Sequence, residues 1–117
     1  AHLGVSYLRQ NRPADAIVPF EQAIAIRPRL KEAHTGLGAA FRMTGQPERA
    51  ILSHLAALEI DRNQPVVYAN LGVAYEDNHN YTEAERNLRE ALRLDPSLDS
   101  ARSALNRVLL AQGKPAE

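Results

Sequence analysis

The chain has 117 residues, the length of a single domain. Its 14 basic and 14 acidic residues give a formal net charge of zero, so no basic stripe is available for a phosphate backbone, and we do not expect nucleic acid as a partner. With no cysteine, the sequence excludes a disulfide framework and a thiolate metal site, and it leaves the compartment open.

No apolar run approaches the roughly 20 residues that a membrane-spanning helix needs. The first residues, Ala1 to Gly4, also lack a charged leader followed by an apolar segment. We therefore expect a mature soluble protein without membrane insertion. The cytoplasm is favoured, although nothing in the sequence identifies the compartment.

Apolar residues recur at helical spacing along the chain, and short turns rich in Asn, Gly and Pro separate the runs. The pattern predicts helices near residues 1–10, 14–27, 32–44, 48–61, 66–78, 82–95 and 99–112. Pro19 falls several residues inside the second predicted helix, where proline removes a main-chain hydrogen bond. It predicts a kink or a late start for that helix.

A leucine-glycine pair recurs at a fixed interval, at Gly4, Gly38 and Gly72, since 38 − 4 and 72 − 38 are both 34. Other residues recur in step with the glycines: an aromatic ring (Tyr7, Phe41, Tyr75), two alanines (Ala16, Ala50, Ala84 and Ala23, Ala57, Ala91) and a closing residue (Pro28, Arg62, Pro96). Small residues held in register three times indicate a packing constraint in stacked copies of one unit.

This pattern resembles the tetratricopeptide repeat, a two-helix unit of about 34 residues that stacks into a right-handed superhelix. The resemblance covers nearly the whole chain. It departs at His54, where the flanking copies have Phe20 and Leu88, at Arg62 in place of proline, and at Asn106, where a fourth glycine would fall.

The resemblance implies an all-α solenoid of antiparallel helix pairs in one domain over residues 1–117. The repeats would cover approximately 1–30, 31–64 and 65–98, followed by an additional or capping helix at 99–112. Residues 113–117 parallel the turn and second-helix start at 45–49, and the family's first helix begins about four residues before Ala1 falls. We expect a fragment of a longer array, and the alternative is a terminal capping helix with a short tail.

The repeated glycines lie inside predicted helices, where glycine is roughly 1 kcal/mol less favourable than alanine. In this family the compensation is a close approach of the partner helix, which here presents Ala16, Ala50 or Ala84. Enlarging either member of such a contact should destabilise the fold by about 1 to 3 kcal/mol.

The four histidines lack the spacing of a zinc hydrolase, and no serine lies in a nucleophile elbow. His34 and His54 fall on facing helices of one repeat, so a metal site is one interpretation; a structural role is favoured, because a site needs three or four ligands. Gly36-Leu37-Gly38 has Phe41 where a dinucleotide loop has its third glycine. We expect no catalytic residues, no cofactor and no metal.

In a superhelix of helical hairpins, the first helix of each pair lines a concave inner wall. By resemblance, the partner-binding residues on this wall are Val5, Arg9, Thr35, Ala39, Arg42, Asn70, Val73 and Asp77. Asn70 is the most specific candidate, because its amide can both donate hydrogen bonds to and accept them from a peptide backbone. The alternative is that these are ordinary solvent-facing residues.

Two mechanisms of known subfamilies do not match. Members that hold the C-terminal carboxylate of chaperones present lysine, asparagine and arginine, whereas the matching positions here are Ala1, Val5, Gly36, Val66 and Asn70. Members fused to sugar transferases repeat an asparagine in each copy, whereas the equivalents of Asn70 here are His2, Gly36 and Ala104.

The sequence therefore predicts a non-enzymatic protein-protein interaction scaffold that binds a peptide or helix of a partner in its concave groove. One alternative is a substrate-recruiting segment of a larger enzyme such as a glycosyltransferase. A third is self-association through exposed end helices.

Overall fold

A computed structural model describes residues 2–117; Ala1, with which the first predicted helix begins, lies outside the described residues. The chain forms α1 (His2–Arg9), α2 (Pro13–Ile26), α3 (Lys31–Met43), α4 (Pro47–Ile60), α5 (Pro65–Asp77), α6 (Tyr81–Leu94) and α7 (Asp99–Ala111). There is no strand in residues 2–117. The predicted helices are confirmed: α2 to α6 begin one residue earlier than predicted, and all seven end one residue earlier.

The chain divides into two compact units, unit 1 at residues 1–62 and unit 2 at residues 63–117. In unit 1, each of α1 to α3 packs on the helix that follows it, and α1 also contacts α3. In unit 2, α6 packs on both α5 and α7, and α5 contacts α7. Short turns between consecutive packed helices produce antiparallel pairs, so the predicted all-α class is confirmed. Among the helices of residues 2–117, none combines the length and the hydropathy of a membrane span.

A left-handed residue follows the first helix of each pair and the last helix, at Asn11, Gly45, His79 and Gly113, with φ values of 58°, 76°, 59° and 75°. In each case this residue's amide donates to the carbonyl three positions back, and the next amide donates five positions back, as when Arg12 N bonds Tyr7 O at 2.8 Å. This is a Schellman motif. Because α7 ends in the same motif as α1, α3 and α5, it carries the C-terminal signature of a first helix.

Proline occupies the first turn of α2, α4 and α5, where the missing amide removes no helical hydrogen bond. Pro19 lies inside α2, which begins at Pro13. The predicted late start of this helix is therefore wrong, and the kink stays a prediction.

Each repeated glycine of a first helix lies against one large side chain of the following helix. A β-carbon added at Gly4 would lie 2.8 Å from the ring of Phe20, and one at Gly38 would lie 2.6 Å from Cε1 of His54. At Gly72 the nearest atom is Cγ of Leu88, at 2.6 Å. The predicted close approach is confirmed.

The nearest neighbours of these glycines are not the predicted alanines. Ala16, Ala50 and Ala84 are completely buried. Of the three, only Ala84 supplies one of the three nearest atoms, its main-chain oxygen, 3.2 Å from a β-carbon at Gly72. The closer contact comes four residues further along the second helix, at the position of Phe20, His54 and Leu88.

Candidate partner-binding surface of the first helices

Unit 1 carries five of the predicted binding residues on two helices in contact, α1 and α3. Val5 is 38% exposed, and Arg9 and Arg42 are exposed. Thr35 and Ala39 are half-buried. Each of these helices therefore presents small side chains that are followed, in its last turn, by an exposed guanidinium group.

Unit 2 carries the other three predicted residues on α5. Asn70, Val73 and Asp77 are spaced by three and four residues, so they follow one another along one face of the helix. Asn70 and Val73 are half-buried and Asp77 is exposed. The Asn70 amide thus lies one turn from a small apolar side chain and two turns from the carboxylate of Asp77.

Arg107 was not among the predicted site residues. It lies 34 residues after Val73, in the register of Val5 and Ala39, and the fixed interval alone would have identified it. Its Nη2 and Nε donate to the two carboxylate oxygens of Glu76 at 2.9 and 3.1 Å. Hydrogen bonding to Glu76 raises the pKa of Arg107. This bidentate pair joins α5 to α7 and puts both charge signs beside Val73.

Gly36 has a packing role that the sequence did not reveal. A β-carbon there would lie 2.3 Å from Cζ of Phe20, so Phe20 fits only because glycine occupies both Gly4 and Gly36. In unit 2 the corresponding pair is Leu88 with Ala104, both of which belong to the buried core. Leucine at the position of Phe20 is shorter than phenylalanine and leaves room for the β-carbon of alanine at the position of Gly36. The residue at the Gly36 position is therefore determined by core packing rather than by ligand binding.

His34 and His54 have different environments. Nε2 of His34 lies 2.9 Å from the carbonyl oxygen of Pro28, whereas His54 is 1% exposed and its Nδ1 has no hydrogen-bond partner within residues 2–117. Burial, with a smaller contribution from the positive charge of Arg42, lowers the pKa of His54 to about 4. Within the same residues, no group of three or more His, Cys, Asp or Glu side chains could hold a metal ion.

The most perturbed carboxylate lies on α6 rather than on a first helix. Hydrogen bonds from Lys114, Arg89 and Gln112 lower the pKa of Glu85 to about 2. A general acid working near neutral pH needs a raised pKa, which burial of a carboxyl group would provide. Glu85 is instead held ionised in an ion-pair cluster, which is a structural arrangement.

The sequence profile of the tetratricopeptide repeat matches residues 2–65 and again residues 65–98. The chain is 31% identical over 117 residues, 98% of its length, to the type IV pilus assembly protein PilF of Pseudomonas aeruginosa, of which it covers 46%. It is 32% identical over 88 residues, 74% of its length, to the protein O-mannosyl-transferase TMTC3 of Homo sapiens, of which it covers 10%. The chain thus spans less than half the length of either relative.

Among solved structures, the chain is similar to the first tetratricopeptide repeat domain of Spaghetti (RPAP3) bound to the HSP90 peptide SRMEEVD. The TM-score is 0.92 and the sequence identity is 19%, with 97% of this chain and 90% of that chain covered. At this identity the likeness shows the fold, and it confirms the predicted repeat class.

Proposed function

The chain belongs to the tetratricopeptide repeat family, and from this premise we propose that it is a non-enzymatic scaffold that binds a peptide or helix of a partner protein. The proposed binding surface is the exposed face of the first helices, α1, α3 and α5. The observation that carries the proposal is the pairing of small half-buried residues with polar or charged ones on these helices, as at Val73 beside Asn70.

In this proposal, the carboxamide of Asn70 recognises the main chain of the bound peptide. A peptide segment laid along α5 presents main-chain N–H and C=O groups, and one carboxamide can satisfy one of each. Because Asn70 is half-buried, its rotamers are restricted before binding, so less side-chain entropy is lost when the peptide docks. Val73 beside it leaves room for the peptide backbone.

The charges on the same helices indicate the composition of the partner. Arg9 and Arg42 are exposed in unit 1, and Asp77 is exposed in unit 2. Complementary charges at the rim of an interface mainly raise the association rate of the two partners and fix how they align, and they add less to affinity. We therefore expect a mixed-charge or amphipathic partner segment.

A C-terminal chaperone carboxylate is not the expected ligand. The Spaghetti domain binds an HSP90 peptide. The lysine, asparagine and arginine expected of such carboxylate clamps correspond here to residues that include Val5, Gly36 and Val66. Without cations at these positions, a terminal carboxylate would lose its solvation without a charged partner.

The test is a pull-down from the source organism with the Asn70→Ala/Arg42→Ala double variant, quantified by mass spectrometry. Partner capture should fall by about tenfold or more, the consequence of removing two polar contacts worth roughly 1 kcal/mol each. A matched double variant on α6, Thr82→Ala/Arg86→Ala, should leave capture unchanged. An unaltered profile for the first variant, with its melting temperature preserved, would argue against this surface.

A second candidate function is substrate recruitment within a larger enzyme. It is favoured by the match to the mannosyl-transferase TMTC3, in which the matching segment is 10% of the protein. The length and remaining domains of the parent polypeptide separate the two proposals, because a catalytic domain on the same chain supports recruitment.

Self-association through the end helices is a third alternative. It is tested by light scattering over a concentration series, and it fails if the mass stays monomeric throughout.

A further inference from the structure

The exposed side chains of α4 form one narrow line. Between Pro47 and Ile60 the exposed residues other than Arg49 are Glu48, Leu52, Leu55 and Glu59. Their spacing of four, three and four residues places them on a single helical stripe, which we call the α4 stripe. Its two central members are aliphatic, with Leu52 68% and Leu55 42% exposed.

The fold does not require leucine at these positions. The same stripe 34 residues later, on α6, consists of Thr82, Arg86, Arg89 and Arg93. All three arginines are in ion pairs: Arg86 with Glu83 at 3.1 Å, Arg89 with Glu85 at 3.0 Å and Glu117 at 2.6 Å, and Arg93 with Glu90. The repeat therefore tolerates a polar stripe with arginine at both leucine positions, and the exposed leucines of α4 serve no packing role common to the repeats.

Both ends of the α4 stripe carry negative charge. Glu48 and Glu59 are 11 positions apart, about 16 Å along a helix. Within residues 2–117 neither carboxylate forms an ion pair or a side-chain hydrogen bond. The one exposed cation of α4, Arg49, is directed over the ring of Phe41, with Cζ 5.7 Å from the ring centroid. The stripe is thus an apolar centre between two unpaired acids.

This charge pattern indicates that the α4 stripe does not dock a second copy of the chain. A second copy docking through its own α4 would bring Glu48 and Glu59 against the same residues, and like charges across an interface are unfavourable. A second copy docking through α6 would offer arginines already balanced by Glu83, Glu85 and Glu90, with no exposed aliphatic side chain between them.

We propose that the α4 stripe docks an amphipathic helix of a partner protein in which a pair of aliphatic residues is flanked at both ends by lysine or arginine. The aliphatic pair would pack on Leu52 and Leu55, and the flanking cations would pair with Glu48 and Glu59. This mode of recognition uses residues one to two turns apart on one helix face. The site lies on a second helix, so it is separate from the proposed surface of the first helices.

The probe is a synthetic helical peptide of about 15 residues, long enough to retain helicity, with two leucines spaced by three positions and a lysine one turn outside each. A matched peptide has glutamate in place of both lysines. Binding is followed by amide chemical shifts of the isotope-labelled protein. The lysine peptide should shift amides of α4 around Leu52 and Leu55 and should bind at least about tenfold more tightly than the glutamate peptide, since two charge pairs are reversed.

Two variants test the site. Leu52→Lys/Leu55→Lys should abolish binding of the lysine peptide, whereas Leu110→Lys, which changes a leucine of α7 that is 63% exposed, should leave it unchanged. Glu48→Lys/Glu59→Lys should reverse the preference toward the glutamate peptide, and this result does not depend on how the leucine variant folds. No binding, equal binding of both peptides, or shifts confined to α3 and α5 would each overturn the proposal.

Discussion

At the core position that contacts the repeated glycine, unit 1 has Phe20 and His54, whereas unit 2 has Leu88. All three side chains are buried, but only His54 carries a polar atom without a partner in the described part of the chain. The core of unit 2 around Leu88 is aliphatic, and its charged residues lie outside it in ion pairs that include Glu85 with Lys114. The same repeat can thus place its titratable groups inside the core or on its surface.

The difference makes the two units sensitive to different ranges of pH. The folded-state pKa of His54 is about 4, below the ordinary value of 6.5, so the unfolded chain takes up the proton first. The stability contributed by neutral His54 is complete above pH 6.5 and is lost as pH falls toward 4. The pKa of Glu85 is lowered from 4.5 to about 2. The stability that ionised Glu85 contributes to unit 2 is therefore complete above pH 4.5 and is lost only as pH falls from 4.5 toward 2.

The largest expected effect is the acid destabilisation of unit 1. Between pH 6.5 and 4 its free energy of opening should fall by about 3 kcal/mol, because one pKa unit corresponds to about 1.4 kcal/mol. Amide hydrogen exchange at a series of pH values measures the free energy of opening residue by residue. Protection of α3 and α4 should decline in this range while that of α6 and α7 is maintained.

The control for this experiment is His54→Leu, which copies the residue of unit 2. It should remove the decline between pH 6.5 and 4 in α3 and α4. If the wild-type units lose protection in parallel over this range, or if His54→Leu retains the decline, then burial of His54 is not its cause.

Gly38→Val should destabilise unit 1 by about 1 to 3 kcal/mol, because the added side chain would overlap the imidazole of His54. Thermal unfolding followed by circular dichroism measures the effect as a lower melting temperature. Gly45→Val is not a suitable control, because Gly45 is in the left-handed region, so Ala39→Val, at a half-buried position of α3 that already carries a β-carbon, is used instead. A melting temperature for Gly38→Val equal to that of the wild type contradicts the close contact.

The pair of Phe20 and Gly36 should be convertible into the pair of unit 2, Leu88 and Ala104. Gly36→Ala alone should destabilise the fold by about 1 to 3 kcal/mol through overlap with Phe20. Adding Phe20→Leu should recover part of this loss, so the two changes should show a favourable coupling of about 0.5 kcal/mol or more in urea unfolding. Strict additivity would show that the two positions do not share a contact.

The smallest effect concerns the left-handed residues after the first helices. His79 has φ of 59°, a conformation that costs an ordinary residue roughly 1 kcal/mol relative to glycine. His79→Gly should therefore stabilise unit 2 by up to about 1 kcal/mol, reduced by loss of the 3.2 Å contact of Nδ1 with the Tyr81 hydroxyl. Asn11→Gly should gain less, because asparagine tolerates this conformation, and denaturant midpoints compare the two. A destabilised His79→Gly variant would show that the contact with Tyr81 outweighs the backbone strain.

The helices and the repeat interval were predictable because both follow from apolar periodicity and from glycine placed at a fixed spacing. The identity of the side chain against each glycine was not, since the interval does not say which of Ala50 or His54 comes closest to Gly38. Arg107 was missed because the predicted binding residues were taken only from the first helices of the three repeats, and in α7 the register glycine is replaced by Asn106. Its ion pair with Glu76 joins residues 31 positions apart, beyond the reach of spacing rules within one helix.

For function, the decisive comparison is between the first helices and α6. Site-specific photo-crosslinking in the native cell, with the reactive group placed at Thr35, at Val73 or at Arg86 as the control, tests it most directly. We predict that Thr35 and Val73 crosslink to segments of the same partner protein, identified by mass spectrometry, and that Arg86 does not. Crosslinks to that partner from Arg86 alone, with none from Thr35 or Val73, would contradict a binding surface on the first helices.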